Sequence, residues 1–201
     1  ANLLQDNRFQ NVTWSLYVES QTKEGFNNSI DESNVVDLVP IAYLFDQSGM
    51  QIRDKQLAHL TMAYCRNMAV DNITITRDAV FLFDSMNNSI INSNISECFG
   101  MRLINSSGND ILGNLFNGNG YSGLFLYSSD GNRIEKNVAS ENEQNGLSLL
   151  SCNQNIIRDN SVQKNLVTGI WLNLSNDNQI YENNITANSL GCQLSFSTGN
   201  T

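Results

Sequence analysis

Residues 132–154 read NRIEKNVASENEQNGLSLLSCNQ, and residues 155–177 read NIIRDNSVQKNLVTGIWLNLSND. The two segments have equal lengths and similar patterns. Each starts with Asn, has an Ile two residues later and a second Asn three residues after that, and contains a central Gly followed by alternating apolar residues. The pattern continues in both directions at intervals of 21 to 23 residues. A period in this range indicates a chain built from one repeated structural unit.

Two asparagine positions recur through the repeats. The first series is Asn88, Asn109, Asn132, Asn155, Asn178 and Asn200, and the second is Asn114, Asn137, Asn160 and Asn183. Apolar residues within a repeat are spaced by two, which is the period of a strand with one buried face. The predicted strands are short and are separated by Gly, Asn and Ser, which favour turns. No segment has the longer run at helical period that a helix-containing repeat needs.

A unit of this size without a helix can bury its apolar side chains only if the chain coils. Each coil then stacks on the previous one as a parallel layer, with neighbouring strands about 4.8 Å apart. Equivalent residues lie above one another, so that Asn side chains hydrogen-bond along the stack. The sequence therefore predicts an all-β solenoid, a parallel β-helix, in which both asparagine series are structural ladders.

We expect residues 1–201 to form a single β-helix domain. The expected subdivisions are an incomplete first coil at 1–19, a lateral excursion or hairpin at 20–49, an irregular coil at 50–66 and regular coils at 67–201. Residues 20–49 break the period and contain the only Pro. Neither terminus has the polar or helical pattern that caps a solenoid. Two explanations stay open: copies of the chain associate end to end, or the chain is a fragment of a longer β-helix.

The repeat N-x-I-x-x-N-x-[IV], followed by G-[IL]-x-L-x-x-S-x-x-N, spans residues 67–200 and resembles the NosD-type repeat. This resemblance implies a right-handed, single-stranded parallel β-helix with coils of about 21–23 residues. It also implies a place among extracellular carbohydrate-associated proteins and large archaeal surface proteins. Such a motif indicates the fold and not the function, because this fold occurs in binding proteins, lyases, hydrolases and inert scaffolds.

The chain is acidic, with a formal net charge of −9 and a pI of about 4.4. This charge argues against nucleic acid and anionic membranes as partners, since both require clustered Lys and Arg. No stretch approaches the roughly 18 apolar residues of a membrane-spanning helix. Copper, which the NosD name suggests, needs clustered imidazole or thioether ligands. The chain has one histidine, His59, which we expect to be a surface or structural residue, and five scattered Met, so we expect no metal and no cofactor.

The four cysteines lack the spacing of a metal site. Cys152 falls in a series of small residues and Cys192 in an apolar series, so both are expected to be buried. Cys98 falls in a predicted turn. It is our candidate for an intermolecular or lateral disulfide.

Opposite charges lie one period apart, Glu135 with Arg158 and Lys136 with Asp159. A groove with two carboxylates would suit acid–base chemistry on a glycoside. The alternation of sign favours instead ion pairs between coils, each worth about 0–1 kcal/mol. We therefore predict no catalytic residue and no enzymatic activity, with a polysaccharide lyase or hydrolase as the alternative.

Three outward aromatic residues are the candidates for ligand binding: Phe125, Tyr127 and Trp171. Exposed rings in a row can stack on sugar rings. They can equally pack against a neighbouring subunit or beneath the 20–49 excursion. The row of aromatic residues is interrupted by Arg102, Ser148 and Gln193.

The sequence thus favours a non-catalytic, extracellular structural protein of a cell envelope, of surface-layer or sheath type and archaeal. Its expected partner is itself, as a head-to-tail or lateral homopolymer formed through uncapped ends and strand faces, with a cell-wall glycan as a further candidate. The alternative is a carbohydrate-binding or polysaccharide-processing β-helix that uses the Phe125, Tyr127 and Trp171 face.

Overall fold

Three parallel sheets run along the molecule, and each complete coil contributes one strand to each of them. The computed structural model describes residues 1–12 and 14–201. Neighbouring strands pair in parallel one coil apart, so the predicted all-β parallel β-helix is confirmed.

The strands are grouped by sheet. Sheet A contains β6 (Gln51–Arg53), β9 (Ala69–Asp71), β12 (Ser89–Ile91), β15 (Asp110–Leu112), β18 (Arg133–Glu135), β21 (Ile156–Arg158) and β24 (Gln179–Tyr181). Sheet B contains β7 (Gln56–Leu57), β10 (Thr74–Ile75), β13 (Asn94–Ile95), β16 (Leu115–Asn117), β19 (Val138–Ser140), β22 (Ser161–Gln163) and β25 (Asn184–Thr186). Sheet C contains β2 (Arg8–Phe9), β4 (Val35–Val36), β5 (Val39–Phe45), β8 (His59–Ala63), β11 (Val80–Phe83), β14 (Met101–Ile104), β17 (Leu124–Tyr127), β20 (Leu147–Leu150), β23 (Thr168–Asn173) and β26 (Leu190–Ser195). Two further strands, β1 (Leu3–Leu4) and β3 (Ser29–Ile30), pair with each other, and Lys23–Phe26 form a single turn of 3₁₀ helix.

The core is a column of apolar side chains between the three sheets. In sheet C, Leu103 pairs with Leu126 and Leu126 pairs with Leu149, and all three are fully buried. In sheet A, Ile134 pairs with Ile157 in the same way. Because equivalent residues stack, every coil presents the next one with an apolar surface of matching shape.

Asparagine ladders line the turns of the coil. In the first predicted series, Asn109 donates from its backbone N–H and its side-chain amide to Oδ1 of Asn132, at 2.8 and 3.1 Å. In the second, Asn114 makes the same two bonds to Asn137, at 2.9 and 3.1 Å. The structure reveals a third ladder that the sequence analysis missed, formed by Asn119, Asn142, Asn165 and Asn188. Its exact 23-residue spacing is the signal that would have revealed it.

The N-terminal part of the chain differs from the expected subdivisions. Strands β4 and β5 are antiparallel and joined by a tight turn at Asp37 and Leu38, both with positive φ. Strand β5 pairs with β8 in parallel, so the regular coils begin at residue 39. The excursion is therefore shorter than 20–49. Residues 50–66 are also regular, because β6 and β7 stay in register with β9 and β10.

Residues 14–26, which we call the strap, cross the outer surface of sheet C. Trp14 packs on Phe81 and Phe99, with ring centroids 5.9 and 3.8 Å apart, and Phe26 packs on Phe83 at 5.0 Å. The strap begins within the expected first coil at 1–19 and ends in the expected excursion. Apolar contact with sheet C explains why this irregular segment is held against the coil.

Among the described residues, no helix combines the length and the apolar character needed to cross a membrane.

Candidate functional site

The outward side chains of sheet C form a row that crosses successive coils. From β8 to β26 the row consists of Thr61, Phe81, Arg102, Phe125, Ser148, Trp171 and Gln193. The strap covers the start of this row, where Trp14 and Tyr17 lie on Phe81. Beyond it lies a surface that the strap leaves uncovered. We call this surface the open face and define it by Arg102, Phe125, Tyr127 and Trp171. Ser148 lies in the row between Phe125 and Trp171 but is buried.

Arg102 lies among aromatic side chains where the strap meets the open face. Its guanidinium carbon is 4.9, 4.6 and 5.5 Å from the ring centroids of Phe99, Tyr121 and Phe125. These distances are in the range of cation–π interactions. Burial lowers the pKa of Arg102 below its ordinary value, and the hydroxyl groups of Tyr121 and Tyr17 act in the opposite direction. The Nε atom is buried and has no hydrogen-bond partner among the described residues.

Neutral polar groups lie beside Phe125. The hydroxyl oxygens of Ser148 and Ser122 are 3.0 Å apart, and the amide of Asn145 donates to Ser148 Oγ at 3.0 Å. The carbonyl of Asn145 accepts from the backbone N–H of Thr168 at 2.9 Å. These bonds fix the orientation of the polar groups on this part of the sheet.

A shallow groove of about 340 Å³ lies at the far end of the open face. It is lined by Gln144, Asn145, Val167, Thr168, Trp171 and Gln193. One indole ring surrounded by amide and hydroxyl groups is a suitable surface for a small polar ligand, because the ring supplies contact area and the polar groups fix orientation.

The three aromatic candidates lie on the same sheet but do not form one platform. Phe125 and Trp171 are half-buried and two strands apart, about 10 Å, with Ser148 between them. Tyr127 is 43% exposed and lies two residues further along β17, in the neighbouring outward row. Sequence reasoning treated Arg102 as an interruption of this row. In the structure its charge lies directly over the aromatic ring of Phe125.

Glu135 and Arg158, one period apart, belong to a different surface, sheet A. The predicted pair of Lys136 with Asp159 does not form, and Asp159 lies 3.8 Å from Arg158 instead. Arg133 Nε lies 2.9 Å from a carboxylate oxygen of Asp110, and Arg158 Nε lies 2.9 Å from one of Glu135. The hydrogen bond from Arg158 is the main reason why the pKa of Glu135 is below its ordinary value. These carboxylates are occupied by ion pairs between coils.

His59 is fully buried at the strap side of sheet C. Its Nε2 is 2.6 Å from Thr61 Oγ1, and its Nδ1 is 3.1 Å from Asp78 Oδ2. This connectivity is that of a hydrolase triad, but the three side chains are at most 2% exposed. Asp78 also accepts hydrogen bonds from the hydroxyl and backbone N–H of Ser15 and from the backbone N–H of Leu16 in the strap. We therefore assign this network to fastening the strap.

Cys98, our candidate for an intermolecular or lateral disulfide, is a buried free thiol, which does not suit that role. Cys98 is 9% exposed, and its backbone N–H and thiol both donate to Oδ1 of Asn119, at 3.1 and 3.2 Å. It thus occupies the first position of the third ladder, facing inward. Burial raises the pKa of the Cys98 thiol to about 12. Cys192, by contrast, is exposed on the last coil, where the sequence predicted burial.

Comparisons with known proteins support the fold. A family model described as "Periplasmic copper-binding protein (NosD)" matches residues 26–201. The periplasmic alginate epimerase AlgG aligns with a TM-score of 0.69 at 14% identity, covering 98% of this chain and 67% of AlgG. An AlgG mutant aligns at 0.66 and 15% identity, covering 75% of this chain and 49% of the mutant. The A-module of the Azotobacter vinelandii mannuronan C-5 epimerase AlgE6 aligns at 0.59 and 12% identity, covering 84% and 58%. The chain thus spans about half to two thirds of these structures. A search of curated protein sequences finds no match.

These neighbours overturn the prediction that the chain is not an enzyme. All of the solved structures just described are polysaccharide epimerases, although their low identity establishes only a shared fold. The prediction rested on the alternation of charge in Glu135 with Arg158 and Lys136 with Asp159, and the first of these pairs lies on sheet A. Ion pairing on sheet A does not bear on the chemistry of sheet C.

The residues do not fit the copper of the family description. Within the described part of the chain, no three His, Cys, Asp or Glu side chains are placed to hold a metal ion. Both ring nitrogens of His59, the single histidine, contact Thr61 and Asp78. Copper needs several imidazole, thiolate or thioether ligands that converge on one point.

Proposed function

The chain belongs to the NosD family, and we propose that it recognises a polysaccharide, which lies across the open face of sheet C. The observation that carries this proposal is the division of the outward row by the strap. The strap buries Phe81, whereas Phe125 and Trp171 are only half-buried, with the buried Ser148 between them. Half-buried rings, with amide groups lining the groove beside Trp171, suit sugars, which have apolar ring faces and polar edges.

The dimensions of the open face agree with an extended ligand. Arg102 and Trp171 are three strands apart, about 14 Å, so the row is longer than one sugar ring. A polymer that lies along the coil axis would cross Phe125 and Trp171, which are two coils apart. It would pass over the buried Ser148 between them.

We place the protein in the periplasm or outside the cell. The family description names a periplasmic protein, and AlgG is a periplasmic enzyme that acts on a polysaccharide. The more specific surface-layer or sheath role, the archaeal source and self-assembly remain predictions of the sequence.

Binding is tested by measuring the affinity of the chain for a panel of soluble neutral and acidic polysaccharides. We expect Trp171→Ala and Phe125→Ala each to weaken binding on the order of ten-fold, the effect expected for removal of an aromatic anchor. The matched control is Tyr181→Ala, because Tyr181 is 39% exposed and lies on sheet A. Failure of every polysaccharide to bind, or equal effects of all three substitutions, would contradict the proposal.

Processing is measured on the same mixtures. After incubation, the chain length of the polysaccharide is followed by size-exclusion chromatography and the configuration of its sugars by nuclear magnetic resonance. A change that is lost in Trp171→Ala and kept in Tyr181→Ala would assign turnover to the open face. An unchanged polysaccharide would assign this face to binding alone.

A further inference from the structure

Arg102 is distinguished from most basic residues of the chain by the absence of an acidic partner. Within residues 1–12 and 14–201, seven Lys and Arg side chains lie within 4 Å of a carboxylate: Lys23, Arg53, Lys55, Arg77, Arg133, Arg158 and Lys164. Among the described residues Arg102 has no such contact, although the chain carries a net charge of −9. In a chain with so many carboxylates, a half-buried guanidinium without one is an unusual arrangement.

The surroundings of Arg102 hold the guanidinium but leave its charge uncompensated. Three rings surround it at 4.6 to 5.5 Å and attract it through their faces. The Tyr121 hydroxyl also favours the charged form, but no carboxylate lies within 4 Å among the described residues. Burial of a cation without an anion is unfavourable. This cost agrees with the lowered pKa of Arg102. The Nε atom is buried and has no hydrogen-bond partner among the described residues, so this chain leaves the guanidinium partly unsatisfied.

We propose that the open face selects an acidic sugar, whose anionic substituent binds Arg102 while its ring contacts Phe125. This inference rests on the proposed function and names the substrate class. Arginine forms paired hydrogen bonds with planar carboxylates, and it retains its charge at all physiological pH values. Phe125 is the next residue of the outward row, about 4.8 Å from Arg102 along the coil axis, which is close enough for one sugar to contact both side chains.

The same observations argue against other anionic polymers. A nucleic acid carries one charge per nucleotide and is bound by clusters of basic residues. The neighbours of Arg102 in the row are instead Phe125, Ser148 and Trp171, which are neutral. The open face thus has one cation, Arg102, next to neutral polar and aromatic side chains. This arrangement fits an acidic polysaccharide, in which each charged group is attached to a sugar ring with hydroxyl groups.

The test compares three oligosaccharides of equal length by isothermal titration calorimetry: a neutral one, one composed of uronic acids and one bearing sulfate esters. We expect the wild-type chain to bind at least one acidic probe about ten-fold more tightly than the neutral probe, as a charge-assisted contact provides. Arg102→Gln should abolish this preference and change affinity for the neutral probe by less than about two-fold. Affinity for the preferred acidic probe should also fall as salt is added.

Two further variants make the result specific. Arg66→Gln removes the same charge from an exposed side chain whose guanidinium contacts Met86, so it should preserve the preference for an acidic probe. Arg102→Lys retains the charge and should preserve part of that preference. Thermal unfolding of each variant shows whether it is folded.

Equal binding of neutral and acidic probes by the wild type, or an equal loss for all probes in Arg102→Gln, would overturn this inference and leave the proposed function intact. If no probe binds and no polysaccharide of the panel binds, the proposed function itself fails.

Discussion

At the scale of single residues, the side chains of the asparagine ladders satisfy the backbone of the turns. Asn132 Oδ1 accepts from the backbone N–H and the side-chain amide of Asn109, and the amide of Asn132 donates to Asn155 Oδ1 at 3.1 Å. Each ladder residue thus links its own coil to the coils before and after it. Because these groups are buried, they have no access to water as an alternative partner.

We predict that Asn132→Ala lowers the free energy of unfolding by about 2 to 4 kcal/mol, because two buried donors of Asn109 lose their acceptor. The measurement is denaturant unfolding followed by circular dichroism. Asn184→Ala is the matched control. Asn184 is an exposed strand residue, and its replacement should change stability by less than about 0.5 kcal/mol. If the two variants lose equal stability, the ladder does not have the role assigned to it.

At the scale of elements, the strap is held by apolar contacts and by one buried carboxylate. Burial raises the pKa of Asp78, but the hydrogen bonds and charge of His59 and the hydrogen bonds from Ser15 together outweigh it, so the pKa is below its ordinary value. The ionised carboxylate is therefore favoured in the folded state. This contribution is fully present above the unfolded pKa, about 3.9, and is lost as pH falls through the lower folded value.

We predict that Asp78→Asn loosens the strap and lowers stability by about 2 to 4 kcal/mol near neutral pH, since Ser15, Leu16 and His59 lose a charged acceptor. The reporter is fluorescence of Trp14 in a Trp171→Phe background, which removes the second of the two Trp residues. The wild-type strap should loosen on acidification below about pH 4, and the variant should lack this transition.

Asp46→Asn controls for the strap measurement, because Asp46 pairs with Lys23 of the strap on the surface, at 2.7 Å. Its effect should stay within about 0 to 1 kcal/mol. An acid transition of Trp14 that persists unchanged in Asp78→Asn would show that another group controls the strap.

At the scale of the whole molecule, the repeat made the architecture predictable. Ile134 and Ile157, or Leu126 and Leu149, occupy equivalent sequence positions, and each pair is stacked in the structure. The strap and the antiparallel β4–β5 hairpin occur once in the chain. The break in the period indicated an excursion or hairpin at 20–49, but the period gave neither the strands of that hairpin nor the position of the strap. Their positions depend on contacts between distant residues, such as Ser15 with Asp78, which spacing within a repeat does not encode.

The candidate site was predictable only in part, for a related reason. Strand alternation correctly placed Phe125, Tyr127 and Trp171 on the outer surface of sheet C. The significance of Arg102 depends on Phe99 and Tyr121, which are brought together from different coils, and on the lack of a nearby carboxylate. Such a cluster is defined by three-dimensional proximity and not by any local pattern.

Because each coil contacts only its neighbours, stability should vary along the rod. The strap covers sheet C near β8 and β11. Strands β17 and β20 have a coil on both sides, whereas β26 has a coil on one side only. Apolar side chains of the last coil are correspondingly exposed, with Leu194 at 50%.

We predict that native-state hydrogen exchange of this chain is slowest in β8 to β20 and on the order of ten-fold or more faster in β26. Asp78→Asn serves as the internal comparison, since it should accelerate exchange around the strap while β20 remains protected. Uniform protection from β8 to β26 would instead mean that the rod opens as one cooperative unit.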